Sequence, residues 1–164
     1  MLAISLLQPW ATLAALGLKT NETRSWKTGA QGALAIHASK GKQPAIRELC
    51  NSDEHIREAL AAHGYTYETL PRGGVIGLVR LEGMAEIVAP GEAIGEGRNK
   101  RLDPTTLTPQ EQAFGDYTAG RFAWQLSGAR ALEEVVPCIG QQRLWILPEY
   151  VRDQVYAGLH SLVQ

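Results

Sequence analysis

Long apolar runs, clustered cysteines and an excess of one charge are all missing from this sequence of 164 residues. No run of about 18 apolar residues occurs, so no membrane-spanning helix is predicted. The N-terminus has no basic region before an apolar run, so we expect no signal peptide. Sixteen basic and seventeen acidic side chains give a net charge of -1, which excludes a protein coated in positive charge. Any nucleic-acid site must therefore be a local patch.

Ligands for a metal ion are also sparse. The two cysteines, Cys50 and Cys138, lie far apart in the sequence and show no metal-ligand spacing. The four histidines are scattered along the chain, at His37, His55, His63 and His160. We therefore expect no metal and no other cofactor. Two unpaired thiols are typical of a cytoplasmic protein.

The pattern of apolar residues predicts an α+β fold in one domain spanning 1–164. Hydrophobic residues make up 45% of the chain and charged residues 20%, as in globular proteins. Strands are predicted near 2–7, 20–26, 33–39, 74–88, 121–127 and 130–137. Helices are predicted near 8–17, 43–50, 53–63, 108–115 and 147–163. Because strands outnumber helices, we expect a curved β-barrel of about six strands with peripheral helices.

Two connections in this prediction bear on function. Residues 117–137 are expected to form an antiparallel hairpin that turns at Ser127 and Gly128. Residues 89–107 are rich in glycine, proline and charge, and are expected to form a long loop. That loop carries the densest basic run of the chain, and it could fold over a ligand.

The segment "GLKTNETRSW", residues 17–26, does not fit an ordinary core strand. As extended chain it places Glu22, Arg24 and Trp26 on one side, and neither side is apolar. A tryptophan on the same side of a strand as two charged residues is typical of a pocket wall. Alternatively, Glu22 and Arg24 form an internal salt bridge.

Several stretches together resemble one family. In order and spacing, "SLLQPWA", "GLKTNETRSW", "GALAIHASK", "GVIGLVRLEG" and "GRFAWQLS" are similar to the ASCH domain, a branch of the PUA-like superfamily. The resemblance covers nearly the whole chain. It implies a β-barrel of about six strands with a helix near one end and a cleft between them. Members of this family bind or act on RNA or modified nucleosides, so the resemblance places the polar segment in the cleft.

The resemblance also implies roles for individual residues. In relatives that deacetylate N4-acetylcytidine, the Gly-x-Lys-Thr stretch carries a catalytic lysine, which Lys19 matches. Their threonine nucleophile falls on Glu22, which has no hydroxyl group. These relatives also use a glutamate on a helix, and the residue that matches it least strictly in this sequence is Glu111. The spacing between Thr108 and Glu111 equally predicts a capping box at the start of a helix.

The predicted site combines charged, polar and aromatic side chains from three parts of the chain. These are Lys19, Glu22, Arg24 and Trp26 of the polar segment, His37, Ser39 and Lys40 of the next strand, and Arg98, Lys100 and Arg101 of the loop. Some of these residues also have a purely structural explanation. A lone histidine such as His37 is usually structural, and a basic run is usually part of a solvated loop. Arg121 and Arg143 are further single candidates.

Two functions from different classes follow from this set. The first is binding of RNA or a nucleotide, with cations on phosphate and an aromatic ring on the base. The alternative is a metal-independent hydrolase of RNA or a modified nucleoside, with Lys19 as general acid/base and Glu22 tuning it. A third is a protein-interaction domain with an unused cleft. The missing hydroxyl at position 22 favours binding over the amidohydrolase reaction. No membrane partner is expected, and the oligomeric state stays open.

The polar segment is expected to face a wet cleft, because burial of unpaired charges costs several kcal/mol. On this interpretation Lys19 is exposed, and its replacement by alanine hardly changes stability.

Overall fold

The computed structural model describes residues 1–93, 95 and 100–160, except for the side chain of His160. The strands are β1 (Leu2–Leu6), β2 (Asn21–Arg24), β3 (Gly32–Ala38), β4 (Gly74–Ile87), β5 (Arg101–Leu102), β6 (Phe122–Pro137) and β7 (Leu144–Ile146). The helices are α1 (Trp10–Ala15), α2 (Pro44–Ser52), α3 (Glu54–Ala62), α4 (Pro109–Ala113) and α5 (Glu149–His160). Within these described ranges, every helix is too short or too polar to cross a bilayer.

The strands form one mixed sheet in the order β2-β6-β4-β3-β1-β7, with the short β5 attached to β4. β1 runs parallel to β3, whereas β4 pairs antiparallel with both β3 and β6. The two longest strands, β4 and β6, change register several times along their pairing. Such shifts increase local twist and bend a sheet. The result is a curled half-barrel, which confirms the predicted α+β class with a curved sheet of about six strands and peripheral helices.

Both faces of the sheet are covered by helices. On β3, Leu34 and Ile36 point toward α1, while Ala35 points to the other face and packs with α5. Helix α1 contributes small side chains to this contact, and a Cβ atom at Gly77 of β4 would lie 2.9 Å from Ala15 Cβ. This alternation of apolar residues on the two sides of a strand positions the sheet between α1 and α5.

The predicted hairpin at Ser127 and Gly128 is wrong. Residues 122–137 form one continuous strand, β6, and both of its halves pair with β4. Ser127 pairs with Arg80 and Arg130 pairs with Leu78, so two residues of β6 lie opposite one residue of β4. Gly128 has φ 55°, a left-handed conformation that suits glycine. A glycine within a strand pattern marks either a turn or a bulge, and here it marks a bulge.

Two short strands were not predicted. β5 lies within residues 89–107, where a loop was expected, and pairs parallel with the end of β4. A 3-10 turn follows at Pro104–Thr106. β7 pairs with β1 at the other end of the sheet. Strands of two and three residues are too short to show period-two alternation, which explains why the sequence pattern did not indicate them.

Candidate functional site

Strand β2 fixes one wall of the site. It pairs antiparallel with β6, with Glu22 opposite Trp124 and Arg24 opposite Phe122. Trp26 lies two residues after the end of β2, and its ring meets the buried ring of Trp124 edge-on, with 4.5 Å between the centroids. This aromatic contact orients Trp26 against the core while the side chain stays only half-buried.

A cavity of about 820 Å³ opens in front of this wall. We call it the main cavity. Its volume falls within the range of about 300–1,000 Å³ that small-molecule sites occupy. Five residues of the predicted site line it, namely Arg24, Trp26, His37, Ser39 and Lys40. The fold therefore brings the end of β2 and the end of β3 together around one opening.

A second wall of the main cavity comes from residues 138–143, which we call the strap. It connects β6 to β7, and Arg143 at its end lies over Trp26, with the guanidinium carbon 5.2 Å from the ring centroid. Arg143 adopts φ 60°, which is uncommon for a residue other than glycine. The cation and the aromatic ring thus share one side of the cavity.

Arg24 is paired with a carboxylate beneath the cavity. Its Nε lies 2.9 Å from Oε1 of Glu22, and its Nη2 donates to the backbone oxygen of Ser5 at 3.4 Å. Glu22 does not line the main cavity. The alternative interpretation of Glu22 and Arg24 as an internal salt bridge is therefore confirmed. The carboxylate of Glu22 therefore neutralises part of the positive charge of Arg24.

His37 is buried at the floor of the main cavity, with 3% of its surface exposed. Its Nε2 lies 3.2 Å from the backbone oxygen of Cys138, and its ring meets Trp145 edge-on at 5.8 Å. Burial lowers the pKa of His37 below its ordinary value. The ring is therefore neutral near pH 7. Its Nε2 carries the hydrogen that bonds Cys138, which leaves Nδ1 as an acceptor.

Lys40 and Arg143 place positive charge at the rim. Both side chains are exposed, and neither forms an ion pair with the described part of the chain. The aliphatic part of Lys40 covers Gly73, where an added Cβ atom would lie 2.9 Å from Lys40 Cε. Ser39, beside it, is tied to β1 through its backbone N–H, which donates to Leu6 at 2.9 Å.

The prediction that Lys19 is exposed in a wet cleft is wrong. Its side chain is 1% exposed and does not line the main cavity. Together with Glu22 and Trp10 it lines a separate cavity of about 320 Å³. Its Nζ lies 3.6 Å from Oε2 of Glu22 and donates to the backbone oxygen of Asn21. Burial lowers the pKa of Lys19, and the carboxylates of Glu22 and Glu111 oppose that shift. The charge is paired inside the protein instead of meeting water.

Glu111 completes this buried cluster from the other side. Its carboxylate accepts hydrogen bonds from the backbone N–H groups of Thr20 and Asn21, each at 2.9 Å, and from the hydroxyl of Tyr117 at 2.8 Å. Its own backbone N–H donates to Thr108 Oγ1 at 3.1 Å. The predicted helix cap at Thr108 thus forms. The side chain of Glu111, however, ties α4 to the start of β2.

The predicted basic loop does not reach the main cavity at the positions that the structure describes. Lys100 donates to the side-chain oxygen of Gln125 at 2.7 Å, and Arg101 pairs with Glu92 at 2.6 Å. Both residues lie near the C-terminal end of β4, because β5 pairs with that end. Arg98 lies outside the described residues. Arg121, another candidate, pairs with Asp116 at 3.3 Å and does not line the cavity either.

Sequence reasoning missed the lining residues Ser5, Gln141 and Gln142. Ser5 lies within an apolar strand, where a single serine carries no signal. The two glutamines lie in the strap, whose path over the cavity depends on the pairing of β7 with β1. Among the described residues, no cluster of three or more His, Cys, Asp or Glu side chains is placed to hold a metal ion.

Comparison with solved structures identifies the fold as that of the ASCH domain. The crystal structure of ASCH from Zymomonas mobilis matches with a TM-score of 0.51 and 17% identity, over 95% of this chain and 93% of that one. The structure of a single-residue mutant of that protein matches with a TM-score of 0.50 and 16% identity, over 95% and 96%. No protein-family model and no curated protein matches the sequence. At this identity the likeness establishes the fold alone.

Proposed function

We propose, from the ASCH fold and the lining of the main cavity, that this protein binds a nucleotide, either free or within single-stranded RNA. One observation carries the proposal. Side chains suited to a base and side chains suited to a phosphate surround the same cavity of about 820 Å³. They come from strands β2 and β3 and from the strap, which are far apart in sequence.

The aromatic component of the site is Trp26, with the Arg143 guanidinium in cation–π contact over its ring. Nucleobases stack on aromatic rings and on the planes of arginine guanidinium groups. The Arg143 guanidinium lies over the indole ring, so the ring and the cation face a ligand together. Trp26 is anchored on Trp124, so the ring is held in place before a ligand arrives.

The electrostatic component is small and local. Lys40 and Arg143 are the cations at the rim, whereas Arg24 is partly neutralised by Glu22. Two rim cations match one or two phosphate groups, and the whole chain carries a net charge of -1. This charge distribution favours a mononucleotide or a short single strand over a long duplex.

The hydrolase alternative depends on a different group. Lys19 combines a lowered pKa with a neighbouring carboxylate, a combination that general acid/base catalysis uses. Its Nζ, however, is paired with Glu22 and the backbone of Asn21, and it does not line the main cavity. Lys19 and Glu22 instead line a separate, smaller cavity of about 320 Å³ beside Trp10. A ligand in the main cavity would not contact Lys19. We favour binding because the larger cavity carries the aromatic and cationic side chains and the smaller cavity at Lys19 does not share them.

Replacement of Arg143 by alanine tests this proposal. Arg143 makes no hydrogen bond within the described part of the chain, so its removal should leave folding intact while removing a phosphate contact. We expect affinity for the best-binding ribonucleoside 5′-monophosphate, or for a short single-stranded RNA, to fall about 10- to 100-fold, because hydrogen bonds to charged groups contribute about 1.5–3 kcal/mol. Isothermal titration calorimetry measures this change.

Arg57→Ala is the matched control, because Arg57 is an exposed arginine on α3 outside the main cavity. Its affinity should equal that of the wild type. Affinity of the wild type should also fall with rising salt, with a shallow slope that reflects one or two phosphate contacts. Equal affinity in the two variants would contradict the proposed site. Conversion of the ligand during the titration, abolished in a folded Lys19→Met variant, would support the hydrolase alternative instead.

A further inference from the structure

Two buried polar atoms at the floor of the main cavity have no partner in the described part of the chain. They are Oγ of Ser5 and Nδ1 of His37. The two residues lie side by side, because Ser5 of β1 pairs with His37 of β3. Buried polar groups in folded proteins are nearly always hydrogen-bonded, so these two neighbouring atoms require a partner from outside the chain, either an ordered water or a ligand.

The hydrogen-bonding character of this pair is defined by its surroundings. His37 uses the N–H at Nε2 to bond the backbone oxygen of Cys138 at 3.2 Å, so Nδ1 offers only a lone pair. The Ser5 hydroxyl can donate or accept. Together they complement a group that carries an N–H donor beside an acceptor. A phosphate has acceptors only, and the lone pair of His37 Nδ1 would repel it.

The strap covers both atoms through one glycine. A Cβ atom at Gly140 would lie 2.6 Å from Ser5 Oγ and 2.7 Å from His37 Nδ1, so only glycine fits this close approach. Among the described residues, no hydrogen bond is made by residues 139–142. The strap is held at its ends, where Cys138 donates to the backbone of Gly73 at 3.3 Å and Leu144 enters β7. Its middle can therefore move outward without breaking a hydrogen bond.

We infer that Ser5 and His37 recognise the hydrogen-bonding edge of the ligand's base, which takes the place of Gly140 above them. The Watson–Crick edge of each nucleobase presents an N–H donor beside an acceptor, which is the pattern that this pair complements. The phosphate of the same ligand stays at the rim with Lys40 and Arg143. This inference rests on the proposed function and adds an orientation to it, with the base inward and the phosphate outward.

A comparison of nucleotides with ribose 5-phosphate tests the inference. Calorimetry would measure the four ribonucleoside 5′-monophosphates and ribose 5-phosphate against the wild type, Ser5→Ala and His37→Gln. The glutamine variant keeps an N–H group for Cys138 but removes the acceptor at Nδ1. We expect the wild type to bind the best nucleotide at least tenfold more tightly than ribose 5-phosphate. Each variant should bind that nucleotide about fivefold more weakly and ribose 5-phosphate unchanged.

Ser52→Ala is the control, because Ser52 is an exposed serine at the end of α2, outside the main cavity. It should keep the wild-type ratio, and thermal unfolding verifies that every variant is folded. If Ser5→Ala and His37→Gln weaken both ligands equally, or neither, the base-recognition role is overturned while nucleotide binding stands. If the folded wild type binds none of the five probes, both the inference and the proposed function are overturned.

Discussion

Replacement of Lys19 by alanine is expected to lower the free energy of unfolding by about 3–5 kcal/mol, the range for breaking a buried ion pair. The side chain is 1% exposed, so its removal leaves a cavity as well as a lost charge contact. The backbone oxygen of Asn21 also loses its donor. Urea unfolding at neutral pH measures the change.

Two further variants separate the contributions in Lys19→Ala. Lys19→Met keeps most of the side-chain volume and removes the ammonium group, so it should recover part of the lost stability. Lys27→Ala removes an exposed lysine that directly follows the polar segment, and it should change stability little. A Lys19→Ala protein as stable as the Lys27→Ala protein would contradict the buried ion pair.

Glu111→Gln is expected to lower the free energy of unfolding by about 3 kcal/mol or more. The carboxylate accepts from two backbone N–H groups and from the hydroxyls of Thr20 and Tyr117. An amide side chain has only one oxygen to replace both carboxylate oxygens. The amide NH2 then faces a donor, and each lost hydrogen bond to a charged group is worth about 1.5–3 kcal/mol. The same urea titration measures this loss.

Glu54→Gln is the matched control for Glu111→Gln, because Glu54 is an exposed glutamate in the first turn of α3. It should be nearly neutral. The Glu111 variant should also loosen β2, which hydrogen exchange at Thr20 and Asn21 would detect. Unchanged stability together with unchanged exchange would show that Glu111 does not hold β2 in place.

Much of the fold was predictable from local patterns. The alternation of apolar residues in β1, β3 and β4 and the glycine and proline signals at helix ends indicated elements that the structure contains. The bulge at Gly128 was not predictable, because the choice between a turn and a bulge depends on the partner strand. Both halves of β6 pair with β4, a contact between residues about fifty positions apart in the chain.

The candidate site was predictable where it depends on neighbouring residues. Alternation along the polar segment placed Arg24 and Trp26 on one side, and the polar end of β3 supplied His37 and Lys40. The burial of Lys19 was not predictable, because the distant helix α4 is held against this part of the chain through Glu111. The hydrogen bond between Thr20 and Glu111 joins positions 91 residues apart.

The strap was not predictable for a similar reason. Its sequence contains a glycine and two glutamines, which is typical of many surface loops. The strap reaches the main cavity because of the sheet order, in which β7 pairs with β1 and β1 pairs with β3. The contact between Arg143 and Trp26 follows from that order.

Titration of the ¹⁵N-labelled protein with the best-binding ribonucleoside 5′-monophosphate, followed by backbone and indole NMR signals, tests the proposed site most directly. The predicted result is a saturable shift of the signals of Arg24, Trp26, Lys40 and the strap, with signals near Gln125 unchanged. Shifts concentrated around Lys100 and Gln125, or none at saturating nucleotide, would contradict nucleotide binding in the main cavity.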